Sequence, residues 1–179
     1  MDLLDKILAC HDHLQGAEID HAFGGALALA WCTASARGTI DIDINLLVEA
    51  DQVDAVLDAL PAAVTWSKDD RQRLVNDSQH RLWWDATPLD LFLNSTDYHQ
   101  RLASHVRWET LAGQHLPFLS CEDLAVFKVF FDRTKDWADL EAMQDAGTLD
   151  TQFVAGVISH YLGPDDPRLR RLLALEARG

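Results

Sequence analysis

Cysteine is scarce in this chain. Cys10, Cys32 and Cys121 are odd in number, widely spaced, and form no CxxC pair. That excludes a disulfide framework and a zinc-finger ligand set, and the expected state is three buried free thiols. Long apolar runs are absent too. None approaches the roughly 18 residues that cross a bilayer, which argues against a membrane partner. The opening residues, Met1-Asp2-Leu3-Leu4-Asp5, carry acid where a signal peptide carries base, so the expected location is the cytoplasm. Basic residues are few: 15 Lys and Arg against 29 Asp and Glu, a formal charge of −14. A surface of that sign repels phosphate backbones and argues against a broad face for duplex DNA. It suits a basic partner or a cationic small substrate, and leaves room for a local basic pocket or a metal site. The sequence has no HExxH, P-loop or Gly-x-Ser-x-Gly motif, no internal repeat and no low-complexity tract.

What is present is an ordinary globular composition, 48% hydrophobic and 25% charged over 179 residues. That length buries a core without disulfides or structural metal. Helical spacing or composition predicts helices over 2–14, 26–34, 51–60 and 97–104. Alternation predicts a strand over 39–48, the clearest in the chain, with further strands over 63–66, 71–75, 80–85 and 88–93. Residues 105–110 and 115–119 read as a hairpin around Gly113. From Ser120-Cys121-Glu122-Asp123, a capping-box-like start, the pattern turns helical over 121–132, 136–145, 150–161 and 166–177. The expected fold is α+β, a mixed sheet flanked by helices, with residues 1–119 as a core and 120–179 as a C-terminal helical region.

The chemistry concentrates in Thr39-Ile40-Asp41-Ile42-Asp43-Ile44. On a strand, Ile40, Ile42, Ile44 and Leu46 share one face, while Asp41, Asp43 and Asn45 share the other. Asp41 and Asp43 then stand about 7 Å apart and repel each other. Protonation, a cation or water must offset that repulsion. A hard divalent ion with oxygen ligands does so, and magnesium commonly takes one or two carboxylates together with substrate phosphates. An acidic strand side facing solvent is the commoner meaning of a lone Asp-x-Asp. Asp90, a single carboxylate within the apolar Pro88-Leu89-Asp90-Leu91-Phe92-Leu93, shifts the balance. A charge in such a strand wants a partner, and beside 39–48 it completes a three-carboxylate site. Phe23-Gly24-Gly25 precedes a helix, where glycine lets backbone N–H groups approach a phosphate.

Phe23-Gly24-Gly25, then Arg37-Gly38-Thr39-Ile40-Asp41-Ile42-Asp43-Ile44, then Leu89-Asp90-Leu91, resembles the signature of polymerase-β-like nucleotidyltransferases, closest to AbiEii-type toxin nucleotidyltransferases. Ser120–Lys128 and Asp132–Leu140 resemble the helical segment that follows the catalytic domain there. The likeness covers about residues 20–145. It implies Asp41, Asp43 and Asp90 as metal ligands and catalytic residues for Mg2+ or Mn2+. It also implies a nucleoside triphosphate such as ATP as substrate, with Gly24, Gly25, Arg37, Thr39 and Lys128 on the nucleotide. The acceptor would be an RNA end or a protein, and a toxin would have a cognate antitoxin; the short chain and its acidic charge suit an alternative acceptor, a small aminoglycoside-like hydroxyl compound. A relative that binds nucleotide or a partner without catalysis is the alternative.

Several residues invite weaker readings. Arg37 is as readily an exposed loop charge, and Lys128, amid Ala125, Val126, Phe127, Val129 and Phe130, can snorkel to solvent. Lys135, Asp136 and Asp139 read first as surface ion pairs at a helix start. His11-Asp12-His13 is a poor metal pair, because i and i+2 do not share a helix face. The tryptophans read mainly as core.

Overall fold

The computed structural model describes residues 1–176. They fall into two units, Met1–Leu27 with Gly38–Leu119, and Ala28–Arg37 with the chain from Ser120 onward.

The first unit is built on a mixed sheet. Its strands are β1 (His21–Phe23), β2 (Ile42–Leu46), β3 (Val64–Thr65), β4 (Gln79–Trp84), β5 (Thr87–Leu93), β6 (Arg107–Leu111) and β7 (Gln114–Phe118). Their spatial order is β3-β4-β5-β2-β1-β7-β6. β2 runs parallel to β5, and β1 to β7, while the remaining pairs are antiparallel. Alternation along the central strands sends Ile42, Ile44, Leu46, Leu82, Leu89, Leu91 and Leu93 into the core. Each such side chain contributes about 2 kcal/mol by leaving water. The acidic residues are thereby confined to the other face. β2 is shorter than the predicted 39–48, and Ile40 lies outside it and is exposed.

Helices α1 (Leu3–Gly16), α3 (Val53–Ala59), α4 (Lys68–Asp77) and α5 (Asp97–Leu102) complete this unit, and α2 (Gly25–Thr33) begins in it. The Asp2 carboxylate accepts from the Asp5 N–H at 2.8 Å, and the Asp5 carboxylate from the Asp2 N–H at 3.2 Å, which starts α1. Lys6 is buried on α1, and its Nζ donates to the Trp84 carbonyl at 2.9 Å and to Thr87 Oγ1 at 3.0 Å, tying the helix to the β4–β5 turn. Residues 71–75, expected as a strand, lie inside α4. The deciding signal is upstream: Ser67 accepts from the Asp70 N–H, and Asp70 accepts from the Ser67 N–H, a reciprocal cap that nucleates helix.

The second unit holds α6 (Cys121–Phe131), α7 (Thr134–Asp145), α8 (Thr151–Leu162) and α9 (Pro167–Glu176). The expected end of the last helix, at residue 177, lies outside the described residues. Ser120 Oγ accepts from the Asp123 N–H at 3.1 Å, so the segment begins as its sequence predicts. The later turns of α2 belong with these helices. Thr148 Oγ1 donates to the Cys32 carbonyl at 2.8 Å, and Cys32 is joined to Cys121 by a disulfide. The expectation of three free thiols is therefore corrected. Chain order separates the two cysteines by 89 residues, and no spacing motif announces such a pair. Cys10 stays free and buried, and burial pushes its thiol up to about 12. Among the described residues no helix is long and apolar enough to cross a membrane.

Candidate active site

The site grows from register. Asp43 on β2 and Asp90 on β5 are Cα partners across a parallel pair, so both side chains leave the same face of the sheet. Asp41 lies two residues before Asp43, just outside the start of the strand. Thr39 Oγ1 donates to the Asp41 carboxylate, which fixes its orientation. Of the three acids proposed from sequence, the strand register pairs Asp43 with Asp90.

Gly24 and Gly25 join β1 to α2 directly against this row. The Gly24 N–H donates to the Asp43 carbonyl at 2.9 Å. A Cβ on Gly24 would sit 2.7 Å from Asn45 Nδ2. Gly25 has φ +51, and a Cβ there would fall 1.8 Å from Asp43 Oδ2, inside the carboxylate. Both the left-handed backbone and the missing side chain are required here. The turn brings main chain within reach of whatever Asp43 binds.

Sequence reading does not single out Arg81, which the structure places in the same row. Arg81 on β4 is the Cα partner of Asp90. Its Nε and Nη2 donate to the two Asp90 carboxylate oxygens at 2.6 Å each. The hydrogen bonds to Asp90 raise the arginine pKa most, and the charges of Asp90, Asp41 and Asp43 add to the effect. Arg81 is a resident cation for the acidic face. A signal for it does exist: a two-residue turn at Asp85-Ala86 pairs position 81 with position 90.

The donor set is hard oxygen throughout, which suits Mg2+ or Mn2+. As arranged, no group of three or more His, Cys, Asp or Glu side chains among the described residues is gathered to hold an ion. The Arg81 guanidinium occupies both Asp90 oxygens. For all three acids to hold one divalent ion, Arg81 would have to yield that carboxylate.

Arg37 and Lys128 lie in the second unit, and each meets Asp139. Arg37 donates through Nη1 and Nη2 at 2.6 and 3.0 Å, and Lys128 Nζ donates at 2.6 Å. Lys128 also lies 3.8 Å from Asp136, which Arg133 binds at 2.6 Å. Lys128, Asp136 and Asp139 are buried. The expectation of surface ion pairs is overturned for the two aspartates, and Lys128 reaches a buried partner rather than solvent.

Comparison with solved structures agrees with this architecture. The antibiotic-resistance factor ANT(2″)-Ia superposes with a TM-score of 0.60 over 98% of this chain and 95% of its own, at 13% identity. The lincosamide antibiotic adenylyltransferase LnuA, bound to lincomycin, gives 0.54 over 79% of this chain and 96% of its own, at 15% identity. An antigenic nucleotidyltransferase-like protein from Paracoccidioides brasiliensis gives 0.52 over 97% and 85%, at 14% identity. The fold is that of the nucleotidyltransferases. It is α+β, as expected from the sequence. No protein-family model matches the chain, and no curated protein matches it.

Proposed function

We propose that the chain transfers a nucleoside monophosphate from a nucleoside triphosphate to a hydroxyl acceptor, with a divalent cation held by Asp41, Asp43 and Asp90. The single observation that supports this most is the registered Asp43–Asp90 pair, flanked by Asp41 and pressed against the Gly24-Gly25 turn. Asp41 and Asp43 would carry Mg2+ or Mn2+ on their carboxylates, and Asp90 would share it after release from Arg81. The ion, when bound, neutralises phosphate charge and lowers the cost of charge on the attacking oxygen. Asp90 orients the acceptor hydroxyl and takes its proton as the new O–Pα bond forms and the bond to pyrophosphate breaks. The glycine turn lets the triphosphate lie close to the main chain at the start of α2. Thr39 holds Asp41 in place. Arg37 and Lys128, the further candidates for the nucleotide, are both engaged by Asp139.

A small acceptor is favoured over RNA. The formal charge of −14 opposes a polyanion, and two proteins of the same fold are an antibiotic-resistance factor and an antibiotic adenylyltransferase. The AbiEii-like motif supports the other acceptor class, an RNA end or a protein, with an antitoxin as partner. Thermal shift against each triphosphate, with and without Mg2+, tests the core of the proposal. The expected result is magnesium-dependent stabilisation by at least one triphosphate, lost in Asp41→Asn and Asp43→Asn. Labelled triphosphate offered with tRNA, and separately with aminoglycosides, then sorts the acceptors. Equal melting of native chain and variants under every triphosphate would refute the assignment.

A further inference from the structure

The two edges of the first unit's sheet are finished differently. At one, β3 is two residues long, and the cap at Ser67 turns the chain into α4. At the other, β6 offers five residues, Arg107-Trp108-Glu109-Thr110-Leu111, with no proline or lysine to blunt it. Trp108 faces Pro117 across the β6–β7 ladder, and proline has no N–H to donate. Position 108 therefore belongs to the non-bonded set of that ladder and turns its own N–H and C=O outward. Thr110, two residues on, does the same. Among the described residues no strand lies on that side.

The side chains along this edge are complementary to a copy of themselves. Trp108 is 55% exposed and stands edge-on to His11 at 6.4 Å. Arg107 and Glu109 share the opposite face and are joined to each other at 2.5 Å. Consider an antiparallel copy of β6 with the twofold axis at Trp108. The outward N–H and C=O of Trp108 then bond those of the partner's Trp108, and the two indoles lie side by side. Arg107 falls opposite the partner's Glu109, and Glu109 opposite the partner's Arg107, in the closer, non-bonded pairs where charge counts most. Moving the axis to Glu109 would keep a ladder but set two carboxylates face to face, which is destabilising.

We propose that β6 is a docking edge for a second copy of this chain. Two seven-stranded sheets then run on as one across a twofold axis at Trp108. The half-exposed indoles cover each other, and the four charges of the two strands neutralise one another in pairs. A single strand edge is a small interface, and a charge of −14 on each copy opposes the approach at long range. The dimer is therefore weak and concentration-dependent. The inference does not rest on the nucleotidyl-transfer reading.

Sedimentation velocity from the micromolar to the millimolar range tests it, with circular dichroism and melting temperature showing that each variant is folded. The native chain is expected to pass from monomer to dimer. Arg107→Glu and Glu109→Arg should each weaken the dimer by about tenfold. An equal mixture of the two should restore it, because every facing pair is then opposite in charge. Trp108→Lys, which keeps both charges of the edge, should weaken it as well. A native chain that stays monomeric at every concentration overturns the proposal. So does a dimer that survives Trp108→Lys and both charge reversals, or a mixture of folded charge variants that does not reassociate.

Discussion

Arg81 holds both carboxylate oxygens of Asp90, with two bonds of 2.6 Å, on the face that also carries Asp43, and it feels the charge of Asp41 as well. A bidentate guanidinium–carboxylate pair is among the stronger contacts a protein makes, and it competes directly with a metal for the same oxygens. Arg81→Met should therefore raise affinity for Mn2+ by about tenfold, equivalent to about 1.4 kcal/mol. It should also lower the melting temperature without metal, because three carboxylates then lack their internal cation, and added Mn2+ should restore it. Paramagnetic titration of free Mn2+ reads the first effect and a thermal scan the second. Unchanged or weaker Mn2+ binding would show that Asp90 does not serve a cation.

Gly25 admits no side chain. Alanine there must take φ +51 and place its Cβ inside the Asp43 carboxylate. The backbone alone costs roughly 1 kcal/mol or more, and displacing Asp43 adds to it. Gly25→Ala is expected to lose 2–3 kcal/mol, an order-of-magnitude figure for strained or overpacked sites, together with triphosphate binding. Gly24→Ala meets the side-chain amide of Asn45, which can shift, so it should cost less. Urea unfolding of the two variants checks the ranking, and equal stabilities would contradict it.

The strand carrying Asp43 is legible from the alternation of Ile42, Ile44 and Leu46, whereas the pattern does not extend to Ile40 and Asp41, which precede the strand. The placement of Asp90 beside Asp43 is legible because an aspartate among Leu89, Leu91 and Phe92 has no apolar purpose. Arg81 is not legible in the sequence, since its role depends on which strand lies next to which, and register across a sheet is a tertiary property. The exposure of Trp83 beside buried Trp84 follows from the same alternation, yet adjacent tryptophans read together as core. The Cys32–Cys121 bond and the Asp139 cluster join segments about 90 and 100 residues apart, beyond any local pattern. Residues 71–75 failed for a local reason, since the cap at Ser67 and Asp70 outweighs a short apolar stretch.

Asp139 is the hinge of a buried charge cluster. It accepts from Lys128 and from Arg37, and Lys128 is itself buried. Removing the carboxylate strands an ammonium in the core, with Asp136 at 3.8 Å as its remaining neighbour. Asp139→Ala should destabilise by about 3–5 kcal/mol. Arg37 is half exposed and solvent screens its charge, so Arg37→Ala should cost at most about 1 kcal/mol. The double variant Asp139→Leu, Lys128→Met should recover much of the loss, since it removes both charges. Denaturant midpoints decide the matter. A double variant no more stable than Asp139→Ala would mean that the cluster is needed for more than charge balance.

His21 links stability to acid. Its Nδ1 lies 2.8 Å from the Ile19 carbonyl, which can only accept, so Nδ1 carries the proton. Its Nε2 therefore accepts from His11 Nδ1 at 3.0 Å. A second proton on His21 would face that donor inside the core. Burial is the main cause that brings His21 down from 6.5 to about 4, with the neighbouring His11 adding to the drop, while the Ile19 carbonyl and Asp20 act against it. The unfolded chain thus takes up a proton near pH 6.5 that the folded chain refuses until about pH 4. The stability from neutral His21 is whole above pH 6.5 and is lost as pH falls through that window, by roughly 3 kcal/mol in total. Urea unfolding between pH 7.5 and 4 should show the decline, and in His21→Phe it should shrink by at least half. An imidazole titration followed by NMR supplies the direct check: His21 must still be neutral at pH 5, and a folded-state midpoint near 6.5 would remove the linkage.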